Sequence, residues 1–443
     1  MDERTSFGHA MGRHFSFEPG YRNLNHGSFG AAPTDILQKA NELRQECERM
    51  PCPFIKYRFP QLLDQSRTAM SSFLGVPANT VVFVPNATTG INTVLRNLVW
   101  NADGRDEIIQ LDVIYGACGK TTHYICEASQ GRVRTREIHL TYPLPADDIA
   151  AALQEAIAAS RGEGFRPRLA IFDTISSNPG LRLPFEALTG ICRSEGVLSL
   201  IDAAHGVGQI DLHLSSLDPD FLVSNCHKWL FTPRGCAVFY VPRRNQALMR
   251  STLPTSHGFV AQDSHDEAKR KKDVGAIPVD KSDFVSNFEF VGTSDNLAFL
   301  TVSEAIQWRE RVCGGEKKIR EYCIGLSRLG GQRVAQVLGT RVMDNEAQSL
   351  TNCCMVNVLL PLNRPTTGAR SWVRGRSTDA VAVNEWMQQI MIEEYRTFMP
   401  VFAFQDQWWV RLSGQIYLDP SDFEWAAWTL KTLCERVELA ASP

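Results

Sequence analysis

An excess of either charge is missing from this chain. Its 443 residues carry 46 lysines and arginines against 49 aspartates and glutamates, a formal net charge of −3. That balance gives no electrostatic reason to expect a nucleic-acid partner. The basic run Lys269-Arg270-Lys271-Lys272 is flanked by Asp266, Glu267 and Asp273, so it reads as a solvated loop or helix face. No apolar run reaches about 18 residues, and no membrane span is expected. The first residues lack a secretory signal pattern, which points to a soluble, unsecreted, cytoplasmic protein. The 12 cysteines are scattered without one C-x-x-C pair. Cys192, Cys226 and Cys236 fall in apolar segments, the pattern of free thiols in a reducing compartment rather than of a disulfide or zinc framework. Internal repeats, low-complexity tracts, a Walker loop and a full dinucleotide fingerprint are also missing.

What the chain has is length for a large core and two domains. It is organised around Asp220-Phe221-Leu222-Val223-Ser224-Asn225-Cys226-His227-Lys228-Trp229. A short strand at 221–223 runs into polar residues and a histidine–lysine pair, and a second apolar run follows at 235–241. A buried lysine must be paired, deprotonated or used. One use is a Schiff base with an aldehyde cofactor, of which pyridoxal phosphate (PLP) is the usual one. Alone, Lys228 is better explained as a surface lysine on a strand-to-strand loop. The second signal is Val197-Leu198-Ser199-Leu200-Ile201-Asp202, an apolar run that reads as a buried parallel strand ending in an aspartate. Carboxyl ends of parallel strands are where α/β proteins build sites, and an aspartate there can pair with a protonated pyridine nitrogen. Alone, Asp202 can equally be a helix N-cap. The two motifs together favour PLP.

Along the chain, Leu24-Asn25-His26-Gly27-Ser28-Phe29-Gly30 is glycine-punctuated and precedes a helix near 34–49. Residues 51–60 read as an aromatic and basic loop, and 61–75 as a helix. A strand at 81–84 leads into Pro85-Asn86-Ala87-Thr88-Thr89-Gly90, which opens a helix to about 98. Such a helix start suits an anion, although N-capping explains its threonines as well. Strands near 108–111, 133–140, 168–174, 197–201, 220–223 and 235–241 alternate with helices near 147–159 and 184–195. The alternation predicts a mostly parallel, doubly wound sheet. Residues 257–287 read as a long loop or lid. A helix at 296–312 leaves the large domain, a strand spans 353–360, a helix 377–394, and 408–413 is a strand presenting Arg411. Arginine makes a two-pronged match to a carboxylate.

With Asp202-x-x-His205, His227-Lys228, Gly292-Thr293 and Arg411 in this order, the chain resembles fold-type I PLP enzymes, and within them the class V aminotransferases. The stretches at 24–30 and 86–92 are similar to the isopenicillin N epimerase-type subgroup. The resemblance covers roughly residues 20–430. It implies an α/β fold with a mostly parallel seven-stranded sheet between helices in the large domain and a smaller α/β C-terminal domain. The boundaries are then an N-terminal segment at 1–50 packing with the small domain, the large domain at 51–295 and the small domain at 296–443. It implies that Lys228 carries the cofactor, Asp202 pairs with its ring nitrogen and His205 meets its ring hydroxyl. Ala87, Thr88, Asn225 and His227 would hold the phosphate. Thr293 would reach the phosphate of a neighbouring subunit, hence a homodimer with shared sites. Tyr115 stands where the family stacks a ring over the cofactor, as an acid or for stacking alone. Arg411 would clamp the carboxylate of a small amino-acid substrate, with Asn25 and His26 nearby. From the turn Ser176-Ser177-Asn178-Pro179-Gly180, either Ser177 or Asn178 would approach the site, and Asn178 is taken as the substrate contact. The activity implied is a carbon–sulfur lyase acting on a cysteine-conjugate sulfoxide, with an epimerase or aminotransferase as the alternatives. Cysteine desulfurases need a nucleophilic cysteine shortly before the arginine strand. No cysteine lies between Cys354 and Arg411, and Cys353 and Cys354 sit in an apolar pattern that suits inert thiols, so a desulfurase is not expected.

Overall fold

Short apolar runs without polar alternation cannot leave one face to water, so they stack into a sheet covered on both sides. In this chain β1 (Val81–Val84), β2 (Asp106–Leu111), β3 (Val133–Ile138), β4 (Arg166–Asp173), β5 (Leu198–Asp202), β6 (Phe221–Asn225) and β7 (Ala237–Tyr240) form one sheet in the order β1-β7-β6-β5-β4-β2-β3. The structure is a computed structural model that describes residues 4–251, 253–254, 259, 281–363 and 380–441. Ladders from β3 through β6 are parallel, and β7 runs antiparallel to both β6 and β1. Alternate residues enter different cores: Leu169 and Ile171 face one side of the sheet, Ala170 and Phe172 the other. A second sheet, β8 (Met355–Leu359), β10 (Gln407–Ser413) and β9 (Val401–Phe404), is antiparallel and lies in the C-terminal region. Helices Glu316–Leu338 and Pro420–Ala441 pack with each other, and the first also packs on β8. The fold is α/β, as expected. No helix among the described residues is long and apolar enough to cross a membrane.

Several elements differ from the sequence expectation. Residues 51–60 are helical rather than a loop. Pro51 and Pro53 sit in a first turn, where a missing N–H costs nothing, and a widened turn at Phe54–Arg58 precedes the helix Phe59–Leu74. Pro60 has no N–H for the carbonyl four residues back, and the wide turn accommodates that loss. The pair His227-Lys228, given no element from the sequence, lies in a one-turn helix, Cys226–Trp229. Of the expected loop at 257–287, the end is a helix, Asp283–Glu289, capped by Ser282. Most of the rest, with the basic run at 269–272, lies outside the described residues. The long helix Glu316–Leu338 had no counterpart in the sequence reading.

The N-terminal segment meets both sheets. Ser413 N–H donates to the Leu24 carbonyl at 2.8 Å, extending β10, while Arg234 donates to the Gly30 carbonyl at 3.1 Å beside the Lys228 turn. Gly30 has φ +65°, and a Cβ there would collide with the His227 carbonyl, so only glycine allows this approach.

Candidate active site

The parallel register places two carboxylates side by side. Asp173 and Asp202 end β4 and β5 and are direct ladder partners. Both are buried. Asp202 Oδ1 accepts from Ala204 N–H at 2.9 Å, and its Oδ2 accepts from the Cys118 thiol at 3.2 Å. Asp173 Oδ2 has no hydrogen-bond partner among the described residues. Burial pushes both acids up, and the charge of Asp202 adds to the rise at Asp173. Asp202 has the donors, so it is the member of the pair suited to hold the negative charge.

Lys228 lies opposite them and is mostly, not fully, buried. Its Nζ lies 3.2 Å from His205 Nε2. Burial, with the positive charge of Arg411, lowers its amine to about 8, while Asp202, Asp173 and Cys118 act the other way. The backbone of this turn is held from three sides. His26 Nε2–H donates to the Lys228 carbonyl at 2.8 Å, Arg309 donates to the Trp229 carbonyl at 2.7 Å and the Gly208 carbonyl at 2.8 Å, and Glu316 pairs with Arg309. His26 Nδ1 accepts from the Tyr417 hydroxyl at 2.9 Å, which in turn accepts from Asn23 Nδ2 at 2.8 Å. Burial lowers His26 to about 3. With both ring nitrogens engaged, His26 holds the lysine turn and offers no nitrogen to a substrate. This corrects its placement as a substrate contact.

Arg411, on β10, is fully buried and has no carboxylate partner among the described residues. Its Nη1 donates to the Ser177 carbonyl at 2.6 Å and the Ser177 hydroxyl at 3.3 Å. Its Nη2 donates to Asn25 Oδ1 at 2.9 Å and Ser28 Oγ at 2.7 Å, and Nε is without a partner. Burial lowers the guanidinium to about 10. Asn25 therefore orients Arg411. Of the two residues left open in the turn, Ser177 contacts the arginine, whereas Asn178 is exposed and makes no side-chain hydrogen bond among the described residues.

The helix Ala87–Asn97 starts at the same end of the sheet. Ala87 N–H donates to Asn225 Oδ1 at 2.9 Å, and Asn86 caps Thr89 N–H. Thr88 is half-buried beside them. His227 Nδ1–H donates to the Cys236 carbonyl at 2.9 Å, and burial lowers its ring to about 4. Tyr115 is half-exposed at the start of the helix Gly116–Ala128, one turn before Cys118. Thr293 is exposed and makes no hydrogen bond to these residues among the described ones. Asp173, Cys118, Trp229 and Ser28 were not singled out from the sequence. Asp173 carries the signal used for Asp202, an apolar strand ending in an acid. Cys118 and Trp229 carry none, because their hydrogen bonds depend on tertiary placement.

A fold with a mostly buried lysine opposite paired strand-end acids is that of fold-type I PLP enzymes. The chain belongs to the class V aminotransferase family, whose profile matches residues 54–360. It is 35% identical to an L-cysteine desulfhydrase-like protein, lolT1, of Epichloe uncinata, over 98% of this chain and 97% of that protein. It is 30% identical to hercynylcysteine sulfoxide lyase of Schizosaccharomyces pombe, over 98% of this chain and all 100% of that protein. The fold is similar to a solved complex of the cystine C-S lyase C-DES with its product cysteine persulfide. There the TM-score is 0.73 and the identity 20%, covering 93% of this chain and 98% of that one. The family's cofactor is PLP, and the residues present fit it: a mostly buried lysine, a donor-held Asp202, a helix start suited to an anion, and buried polar atoms at Asp173 and Arg411 that have no partner among the described residues.

Proposed function

We propose that this chain is a PLP-dependent carbon–sulfur lyase performing β-elimination on a cysteine-conjugate sulfoxide. Hercynylcysteine sulfoxide, on the route to ergothioneine, is the first substrate to test. The observation that carries the reading is Arg411: a buried guanidinium beside Lys228, held among the described residues by neutral groups, is suited to an amino-acid carboxylate. Ala87, Thr88, Asn225 and His227 would hold the phosphate, Asp202 the ring nitrogen and His205 the ring hydroxyl. PLP, when bound, supplies an electron sink that acidifies the substrate Cα–H. Lys228 takes that proton at Nζ, its amine kept close to neutral by burial and by Arg411. The β-sulfur departs with its oxygen as a sulfenic acid. The three-carbon remainder then takes up water and gives pyruvate and ammonia. Buried Cys353, whose thiol is pushed up to about 11, and buried Cys354, also pushed up, are unsuited to the persulfide chemistry of a desulfurase. Incubation with cysteine S-conjugates and their sulfoxides, assaying pyruvate, tests the reading. Turnover that requires a keto acid, or racemised substrate without pyruvate, would replace it with an aminotransferase or epimerase.

Tyr115 is the candidate acid for the departing sulfur, since its hydroxyl can donate a proton if it reaches the oxyanion. Tyr115→Phe keeps the ring and removes the proton. It should leave cofactor absorbance intact and slow elimination by roughly 10²-fold, read in single turnover. Near-normal turnover would leave stacking as its only role. A homodimer with Thr293 serving the neighbouring phosphate belongs to the same reading, and its exposure in the single chain supports it. Dilution should then release cofactor and activity together. A fully active monomer by light scattering contradicts it.

A further inference from the structure

Trp229 follows the lysine and is buried, with its indole aimed inward. Its Nε1 lies 3.2 Å from His205 Nδ1, and His205 Nε2 lies 3.2 Å from Lys228 Nζ. An indole N–H can only donate, so His205 Nδ1 must accept. A neutral imidazole that accepts at Nδ1 carries its proton at Nε2. Nε2–H can only donate, so Lys228 Nζ must accept. An ammonium has no lone pair, so the acceptor is the neutral amine.

We propose that Trp229 is a positioning residue that fixes the tautomer of His205 and thereby holds Lys228 as its free base. The proposal rests on Lys228 being the cofactor lysine. The indole has little freedom to leave. The Trp229 carbonyl is held by Arg309, and Gly208, at φ +80°, lies so close that a Cβ would stand 2.6 Å from that carbonyl. The His26 ring packs against the indole at 5.0 Å between centroids. A doubly protonated His205 would break the contact from Trp229, and burial together with Lys228, Arg411, His26 and His227 opposes that charge. The groups facing Lys228 are Arg411 on β10, Asp202 on β5, Asp173 on β4, Cys118 on the helix Gly116–Ala128, and His205. The two acids favour the ammonium. The relay from Trp229 opposes them with a directed hydrogen bond that needs no charge.

The test is cofactor capture by the full-length protein stripped of PLP, since only a neutral amine attacks an aldehyde. Pyridoxal 5'-phosphate is added across a pH series. The rate is read from visible absorbance, and the bond is located on Lys228 by borohydride reduction and peptide mass. Capture by the wild type should reach half its plateau rate near pH 8, where the lysine is half neutral. In Trp229→Phe, His205 can turn its Nε2 lone pair to the ammonium. The midpoint should rise by about one pH unit, the scale of one hydrogen bond to a charged group. If that variant fails to fold, His205→Ala should raise the midpoint too. His205→Gln should keep it, because an amide can accept from the indole and donate to the amine. An unchanged midpoint in Trp229→Phe or His205→Ala overturns the relay. No reduced adduct on Lys228 at any pH would instead overturn the cofactor reading.

Discussion

Lys228→Ala should give a colourless protein without turnover. Two losses coincide at one atom. On the proposed reading, Nζ would both bond the cofactor aldehyde and move the Cα proton. Loss of a general base alone costs roughly 10²–10⁴-fold in rate. Loss of the covalent attachment removes the visible band as well. Lys228→Arg should restore neither, because a guanidinium stays protonated and cannot bond an aldehyde. The fold should survive in both variants. The backbone of the turn is held through the Lys228 and Trp229 carbonyls by His26 and Arg309, contacts that do not involve the lysine side chain. A yellow, active Lys228→Ala protein would remove the central claim. A variant that fails to fold would show up in circular dichroism before any assay.

Strand-end residues were the legible part of this site. Asp202 closes an apolar run, and a parallel sheet gathers the carboxyl ends of such runs at one edge, so its place follows from topology, whereas Asn225 came from the family resemblance. The sheet was legible for the same reason. Residues 51–60 were misread because prolines punctuate helices in general, yet cost little in a first turn. His26 was misread because sequence gives a ring its neighbourhood and not its direction. Its nitrogens point at Tyr417 and the Lys228 carbonyl. Trp229 reads as core packing in any pattern. Only the 3.2 Å approach of its Nε1 to His205 gives it chemistry. Ser177 and Asn178 are adjacent and similar in character, and only the turn's shape decides that Ser177 faces Arg411.

Arg411→Ala should weaken binding of the amino-acid substrate by about 2–4 kcal/mol, the range for removing one partner of a buried, hydrogen-bonded charge pair. Ordinarily a guanidinium taken fully out of water is costly unless a carboxylate accompanies it. Here its partners are a carbonyl, two hydroxyls and an amide oxygen, all neutral. Their directions fix the guanidinium plane before any ligand arrives, so little side-chain entropy remains to be lost on binding. Arg411→Lys should recover only part of the loss, since a single ammonium cannot match both carboxylate oxygens in the guanidinium's fixed geometry. Esterifying the substrate carboxylate should mimic the alanine variant in the wild-type enzyme. If guanidinium and carboxylate meet, the two changes remove the same interaction, and combining them should add little further loss. Full additivity in KM and kcat/KM would place the substrate carboxylate elsewhere and leave Arg411 as a tether between β10 and the Ser177 turn.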